Sequence, residues 1–228
     1  MTAPARRPWL LVGCSLIALA ALYLLAVRTG TGQHADAHLR RWVRREQALV
    51  PVARVLLSPP TLVVLAAAGV GALAHQARRE GIARAATAAM VVLATFGSAQ
   101  LLKHGLTRPH LIAYAGSNTF PSGHVAAVSG VLWAITQAAD GRVRRLLATV
   151  AGLLGLAAAA GVVALGWHRP SDPLGSVLLL LAWVGARSAM QPRPEVSAAG
   201  RAGSGGSAVR DPALRSARGR ARRTRARR

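Results

Sequence analysis

Apolar residues in this chain come in long uninterrupted runs rather than at alternate or helically spaced positions. A crossing of a bilayer needs about 20 mostly apolar residues, and several runs approach or reach that length. The first is Trp9–Val27, preceded by Arg6 and Arg7. A signal peptide shares that positive start. This run is longer than a usual signal core and lacks a small-x-small exit before Arg28, so an uncleaved spanning helix is expected. A second span is expected at about Thr61–Ala74, with a start near Val50 as the alternative and Pro59-Pro60 as a break. Further spans are expected at Ile82–Leu102, Ser122–Ala138, Leu146–Leu165 and Pro173–Ala189. The pattern therefore predicts an all-α, polytopic membrane protein, a bundle of about six transmembrane helices over residues 1–190.

Between the first two spans the chain turns polar. Arg40, Arg41, Arg44 and Arg45 alternate there with Trp42, Val43 and Leu49. Such a mixture fits a helix lying in the membrane interface, over about residues 33–58. Residues 191–228 are Gly, Ser, Ala, Pro and eleven Arg with almost no large apolar residues. That composition cannot bury a core and predicts a disordered basic tail. Beside a spanning helix, such a tail is held near anionic lipid at roughly 1 kcal/mol per basic residue, and no specific nucleic-acid partner is expected.

Composition sharpens this picture. Of 228 residues 52% are hydrophobic and 16% charged, with 29 Lys+Arg against 7 Asp+Glu. A soluble nucleic-acid-binding protein is excluded by the spans. The single cysteine, Cys14, permits no intramolecular disulfide and is expected to be a small buried hydrophobe. Every basic residue but one is arginine, which points to Lys103 as a position where arginine would not serve, with chance survival of a lone lysine as the alternative. With the N-terminus in the cytoplasm, Arg78, Arg79, Arg84, Arg142, Arg144, Arg145 and the tail all fall on the cytoplasmic side, as the positive-inside rule requires. The arginines between spans one and two are the exception. A multi-pass plasma-membrane protein with both termini cytoplasmic follows.

Ionisable residues at membrane edges are candidates for function. Three clusters stand out: Lys103–Pro109, Asn118–His124 and Gly166–Asp172. An up-and-down order of six helices brings all three to one face of the membrane, the extracytoplasmic one. Pro121-Ser122-Gly123-His124 has the form of a helix N-terminus, where free N–H groups and the helix dipole attract anions. Lys103 and Arg108 carry only donors and suit a phosphate. His168 and Asp172, four residues apart, share a face on a helical turn. The carboxylate can then hold the imidazole through Nδ1–H and leave Nε2 as nucleophile or base, with His124 as a second imidazole to protonate a leaving oxygen. Two His and one Asp could also bind zinc, but neither an HExxH motif nor a cysteine pair accompanies them, and the adjacent Lys103 and Arg108 would repel a dication. No metal or other cofactor is expected. His104 and His110 are expected to be solvated loop residues and Trp167 an interfacial anchor.

These residues resemble the type 2 phosphatidic acid phosphatase superfamily, integral membrane lipid phosphatases related to bacterial acid phosphatases and vanadium haloperoxidases. The likeness covers about Lys103 to Asp172: Lys…Arg-Pro, then Pro-Ser-Gly-His, then His-x-x-x-Asp 44 residues beyond His124. The resemblance implies that His168 forms a phosphohistidine, Asp172 orients it, and His124 is the general acid. It implies that Lys103, Arg108, Ser122 and Gly123 hold the phosphate, without a metal. Two departures matter. Arg108-Pro109 follows Lys103 after four residues instead of six, which puts His110 at the usual Arg position. Gly161 and Val162 stand where the family has Ser-Arg, so one phosphate-binding arginine is missing, and Arg169 is the candidate to replace its charge. The expected activity is hydrolysis of a phosphomonoester or diphosphate on a membrane lipid, such as phosphatidic acid, phosphatidylglycerophosphate or an isoprenoid phosphate. The alternative is a phospholipid-binding protein of the same fold with weak or lost catalysis.

Overall fold

A computed structural model describes residues 6–112 and 117–191. The tail predicted for 191–228 lies, but for Gln191, outside the described residues. Among the described residues eight α-helices run in the order α1 (Arg6–Leu22), α2 (Gly30–Arg45), α3 (Leu49–Leu56), α4 (Pro59–Glu80), α5 (Ile82–Gly105), α6 (Gly123–Gln137), α7 (Gly141–Ala164) and α8 (Ser171–Met190). A π-helical turn, Tyr23–Val27, continues α1. Among the described residues five helices are long and apolar enough to cross a membrane: Arg7–Val27, α4, α5, α7 and α8. The protein is a polytopic helical membrane protein. The sixth expected crossing is α6, which has 15 residues. At 1.5 Å per residue it is shorter than a hydrocarbon core is thick. It is also thoroughly buried, packed against α4, α5, α7 and α8.

Local chemistry sets the helix ends. Pro59-Pro60 does not break the second span. The pair occupies the first helical turn behind the Ser58 N-cap, where prolines lack only N–H groups that would be unsatisfied anyway. Ser122 caps α6 through Val125 N. After α7 the chain turns at Gly166, whose φ of 77° favours glycine.

Two clusters form the core. One joins Leu57, Val125, Val128, Leu132, Ala158, Val162 and Val163 across α6 and α7. The other joins Leu19, Val27, Ala99, Phe120, Ala126 and Leu179. Cys14 corrects the expectation of burial: it is exposed. On α1 the buried positions are Ser15 and Leu19, spaced i,i+4 as one stripe, and Cys14 lies off that stripe.

The segment expected at the interface is two helices, and α2 does more than lie on a surface. Gln33, Asp36 and Arg40 recur at helical spacing and face inward. Gln33 Nε2 donates to the carbonyls of Val27 and Pro109, Asp36 accepts from Ser171, and Arg40 Nη2 donates to Gly166 O at 2.6 Å. The opposite end of the bundle is closed by a separate polar set. Gln137 accepts there from Arg144 and Arg187, and Arg187 also lies over the Trp133 ring.

Candidate active site

The three polar clusters meet at one end of the bundle, around Asp172. This carboxylate is fully buried in the first turn of α8. Its Oδ1 accepts from Arg108 Nη2 at 2.9 Å. Its Oδ2 accepts from the Thr119 hydroxyl and from Arg169 N at 2.9 Å, and lies 3.2 Å from His168 Nδ1. One side chain thus ties together all three segments that carry the sequence signals. The Arg108–Asp172 pair is almost wholly withdrawn from solvent. Buried charges persist when they are paired and hydrogen-bonded, and Asp172 meets both conditions.

His168 is buried and held from two sides. Asp172 takes the Nδ1 edge, and the backbone N–H donates to Val162 O at 3.1 Å. Nε2 points the other way by the geometry of the ring. The His124 ring lies 6.5 Å from the His168 ring between centroids, tilted 70° to it, and also packs 5.4 Å from Trp167. Trp167, expected as an interfacial anchor, is half-exposed and flanks His124. Lys103, on the last turn of α5, lies within electrostatic range of His124.

Arg108 commits one guanidinium nitrogen to Asp172, while its Nε and Nη1 are buried without a hydrogen-bond partner among the described residues. A buried donor left without an acceptor costs roughly 1–3 kcal/mol, so this arrangement is poised for an added acceptor. The N-terminal part of the chain positions it. Tyr23 and Arg28 donate to Thr107, and Gln33 donates to Pro109 O. Asn118 clamps the loop before α6 to the end of α5 by donating to the carbonyls of Lys103 and Leu106.

Ser122 is fully buried, with its N–H on Asp172 O and its Oγ accepting from Val125 N. Ser176 Oγ donates to the carbonyls of both Ser122 and Asp172, which staples the α6 start to α8. Gly123 faces α5: a Cβ there would stand 2.8 Å from Gln100 Oε1. The N–H groups of Gly123 and His124, at the first helical turn, have no intrahelical acceptor. Val162, at the position where the resemblance expected arginine, is fully buried in the apolar core. Arg169 is buried and lies in the electrostatic field of Arg108, Asp172, Asp36 and Arg40. His104 and His110 are exposed.

Asp36 and Thr119 were not singled out from the sequence. Asp36 accepts from Ser171 N at 3.0 Å and from the Ser171 hydroxyl, and so fixes the turn that carries His168 and Arg169. Burial pushes its carboxyl above the ordinary aspartate value, and the Ser171 hydrogen bonds pull it back. The available signal was its rarity: it is one of seven acidic residues in the chain. Asp36→Ala would leave two buried donors without an acceptor. It is expected to lower the stability by about 2–4 kcal/mol, read as a lower Tm in detergent, with Asp36→Asn costing clearly less.

Residues 85–195 match the model of the PAP2 superfamily. No curated protein and no solved structure matches the chain.

Proposed function

The chain belongs to the PAP2 superfamily, and on that premise we propose that it hydrolyses a phosphomonoester or diphosphate carried by a membrane lipid, without a metal, through a phosphohistidine at His168. Phosphatase chemistry is general in the family. The observation that carries the finer reading is His168 held by Asp172 at its Nδ1 edge, with the His124 ring 6.5 Å away between centroids, beside the two unpartnered N–H positions of Arg108.

In this mechanism His168 Nε2 attacks phosphorus, and an N–P bond forms as the P–O bond to the leaving group breaks. His124 gives its proton to the departing oxygen. Asp172 keeps the His168 proton on Nδ1 and stabilises the cationic ring of the phosphohistidine. Water then attacks phosphorus, gives a proton to His124, and restores His168 as the N–P bond breaks. Arg108, Lys103 and the N–H groups of Gly123 and His124 stabilise the equatorial oxygens. Ser122 offers its remaining hydroxyl proton. Arg169 supplies the cation that Val162 does not.

The lipid part of the reading rests on an apolar groove of about 590 Å³ between α6, α7 and α8. It begins beside Pro170 and Pro173, which bracket the Ser171-Asp172 turn, and runs along Leu132, Gly155 and Ala159. A hydrocarbon tail lying in it keeps the phosphate at His168. A Cβ at Gly155, which lines the groove, meets nothing within 4 Å, so Gly155→Leu adds bulk there without a clash at Cβ. It is expected to shift kcat/KM at least tenfold from long-chain toward short-chain lipid phosphates. The positive-inside pattern supports a site on the extracytoplasmic face of the plasma membrane.

The test is phosphate release from lipid phosphates by detergent-purified protein with EDTA present. Release that continues in EDTA supports the reading. A folded protein that binds phospholipid and releases nothing would instead make this a binding protein, with Val162 in place of arginine as the reason.

A further inference from the structure

Helix α2 is built the wrong way round for a helix that only rests on a membrane surface. Such a helix turns its polar face to water and headgroups. Instead α2 exposes Leu39 and Trp42 and buries Gln33 and Asp36, with Arg40 half-buried beside them. The three polar residues lie three and four positions apart and form one stripe. Burying an amide and a carboxylate is costly unless each is hydrogen-bonded, and here the bonds reach both halves of the candidate site. Gln33 Nε2 donates to Pro109 O at 2.7 Å, next in sequence to Arg108. Asp36 accepts from Ser171 N at 3.0 Å and from the Ser171 hydroxyl. Arg40 Nη2 donates to Gly166 O at 2.6 Å. The last two contacts bracket His168. Regular helical bonding lapses between α7 and α8, where the N–H groups of Trp167 and His168 both go to Val162 O. Ser171 N, at the start of α8, has no acceptor within its own helix. So α2 holds the turn at both ends, and the same helix is pinned to the segment that carries Arg108. Fully bonded polar networks of this kind rigidify what they join.

We propose that Gln33, Asp36 and Arg40 are positioning residues, and that α2 acts as a splint that sets His168 in line with a phosphorus held at Arg108. The inference rests on the phosphatase reading and adds to it a helix that precedes the residues shared with the family. None of the three side chains touches the substrate. They act through the Gly166–Ser171 turn and through Pro109. Attack at phosphorus needs close approach and alignment, and a displacement of about 1 Å can slow a reaction about a hundredfold.

The test is single-turnover labelling of His168 in the full-length protein, in neutral detergent with EDTA. The probes are radiolabelled phosphatidic acid and radiolabelled farnesyl diphosphate, in parallel. The amplitude of labelling counts competent molecules, and the rate constant reports how well each competent molecule is aligned. Arg40→Ala and Asp36→Ala are expected to lower the rate constant about ten- to hundredfold at full amplitude per folded molecule. Arg40→Lys keeps a donor for Gly166 O, and Asp36→Asn keeps an acceptor for Ser171 N, so each should recover most of the loss. If Asp36→Ala does not fold, Arg40→Ala, which loses one contact of a half-buried side chain, decides the matter. An unchanged rate constant in an alanine variant that folds overturns the proposal. A fall in amplitude alone also overturns it, because α2 then only stabilises the fold. Wild-type protein that takes no label from either probe strikes the phosphohistidine reading and this inference together, an outcome distinct from the other two.

Discussion

Asp172→Asn is expected to lower kcat by about 10³–10⁴ while leaving the protein folded. The carboxylate takes the His168 Nδ1 edge at 3.2 Å, which leaves Nε2 unprotonated and nucleophilic. An amide that donates toward Nδ1 moves the ring proton to Nε2 and blocks attack. Inverting a catalytic tautomer in this way costs about 10⁴ in a well-studied hydrolase triad. The amide oxygen still accepts from Arg108, so the buried contact survives in part. Asp172→Ala is expected to behave differently. It leaves the buried Arg108 guanidinium and the Thr119 hydroxyl facing no acceptor, and removing one partner of a buried pair costs about 3–5 kcal/mol. Thermal unfolding in detergent separates the two: a moderate drop in Tm for the asparagine variant, whose amide NH2 faces the Arg169 N–H, and a clearly larger drop for the alanine variant. A fully active Asp172→Asn would remove the tautomer argument.

His124→Ala is expected to slow turnover by about 10²–10⁴, the usual range for a lost general acid, and the loss should depend on the leaving group. An alkoxide leaving from a lipid monophosphate needs the proton that His124 supplies. A nitrophenolate hardly does, so an aryl phosphate should recover most of the rate. His168→Ala should be insensitive to the leaving group, because the nucleophile is missing for every substrate. The comparison is a plot of log kcat against leaving-group pKa for the two variants. A His124→Ala defect of equal size on all substrates would move that residue from proton donor to phosphate binder.

The fold and the site differ in how far they are legible in sequence. Long apolar runs name the spanning helices because a bilayer demands a minimum length, and α5 and α7 followed that rule closely. The three polar clusters could be placed on one face by counting crossings, and the structure brings His168, Asp172, His124 and Arg108 together. The direct pairing of Arg108 with Asp172 could not be read in advance, since it depends on how α5 and α8 approach across 64 positions of sequence. Asp36 was hidden for a similar reason. It sits in an Arg-rich stretch whose composition suggests a solvated face, and its partner Ser171 lies 135 positions away. Pro59-Pro60 was ambiguous because proline both stops and starts helices, and the Ser58 cap decides the sense. Cys14 misled because an apolar run in a membrane helix need not face protein.

A covalent bond between phosphorus and His168 is the intermediate on which the proposed mechanism turns, and it can be trapped. Protein incubated with a lipid phosphate labelled at the terminal phosphorus, with EDTA present, is quenched in alkali and digested. The expected result is an acid-labile, alkali-stable label on the peptide that contains His168, absent from His168→Ala and prolonged when water attack is slowed in His124→Ala. Label-free protein that still releases phosphate at the wild-type rate, or a label that persists in His168→Ala, would contradict it.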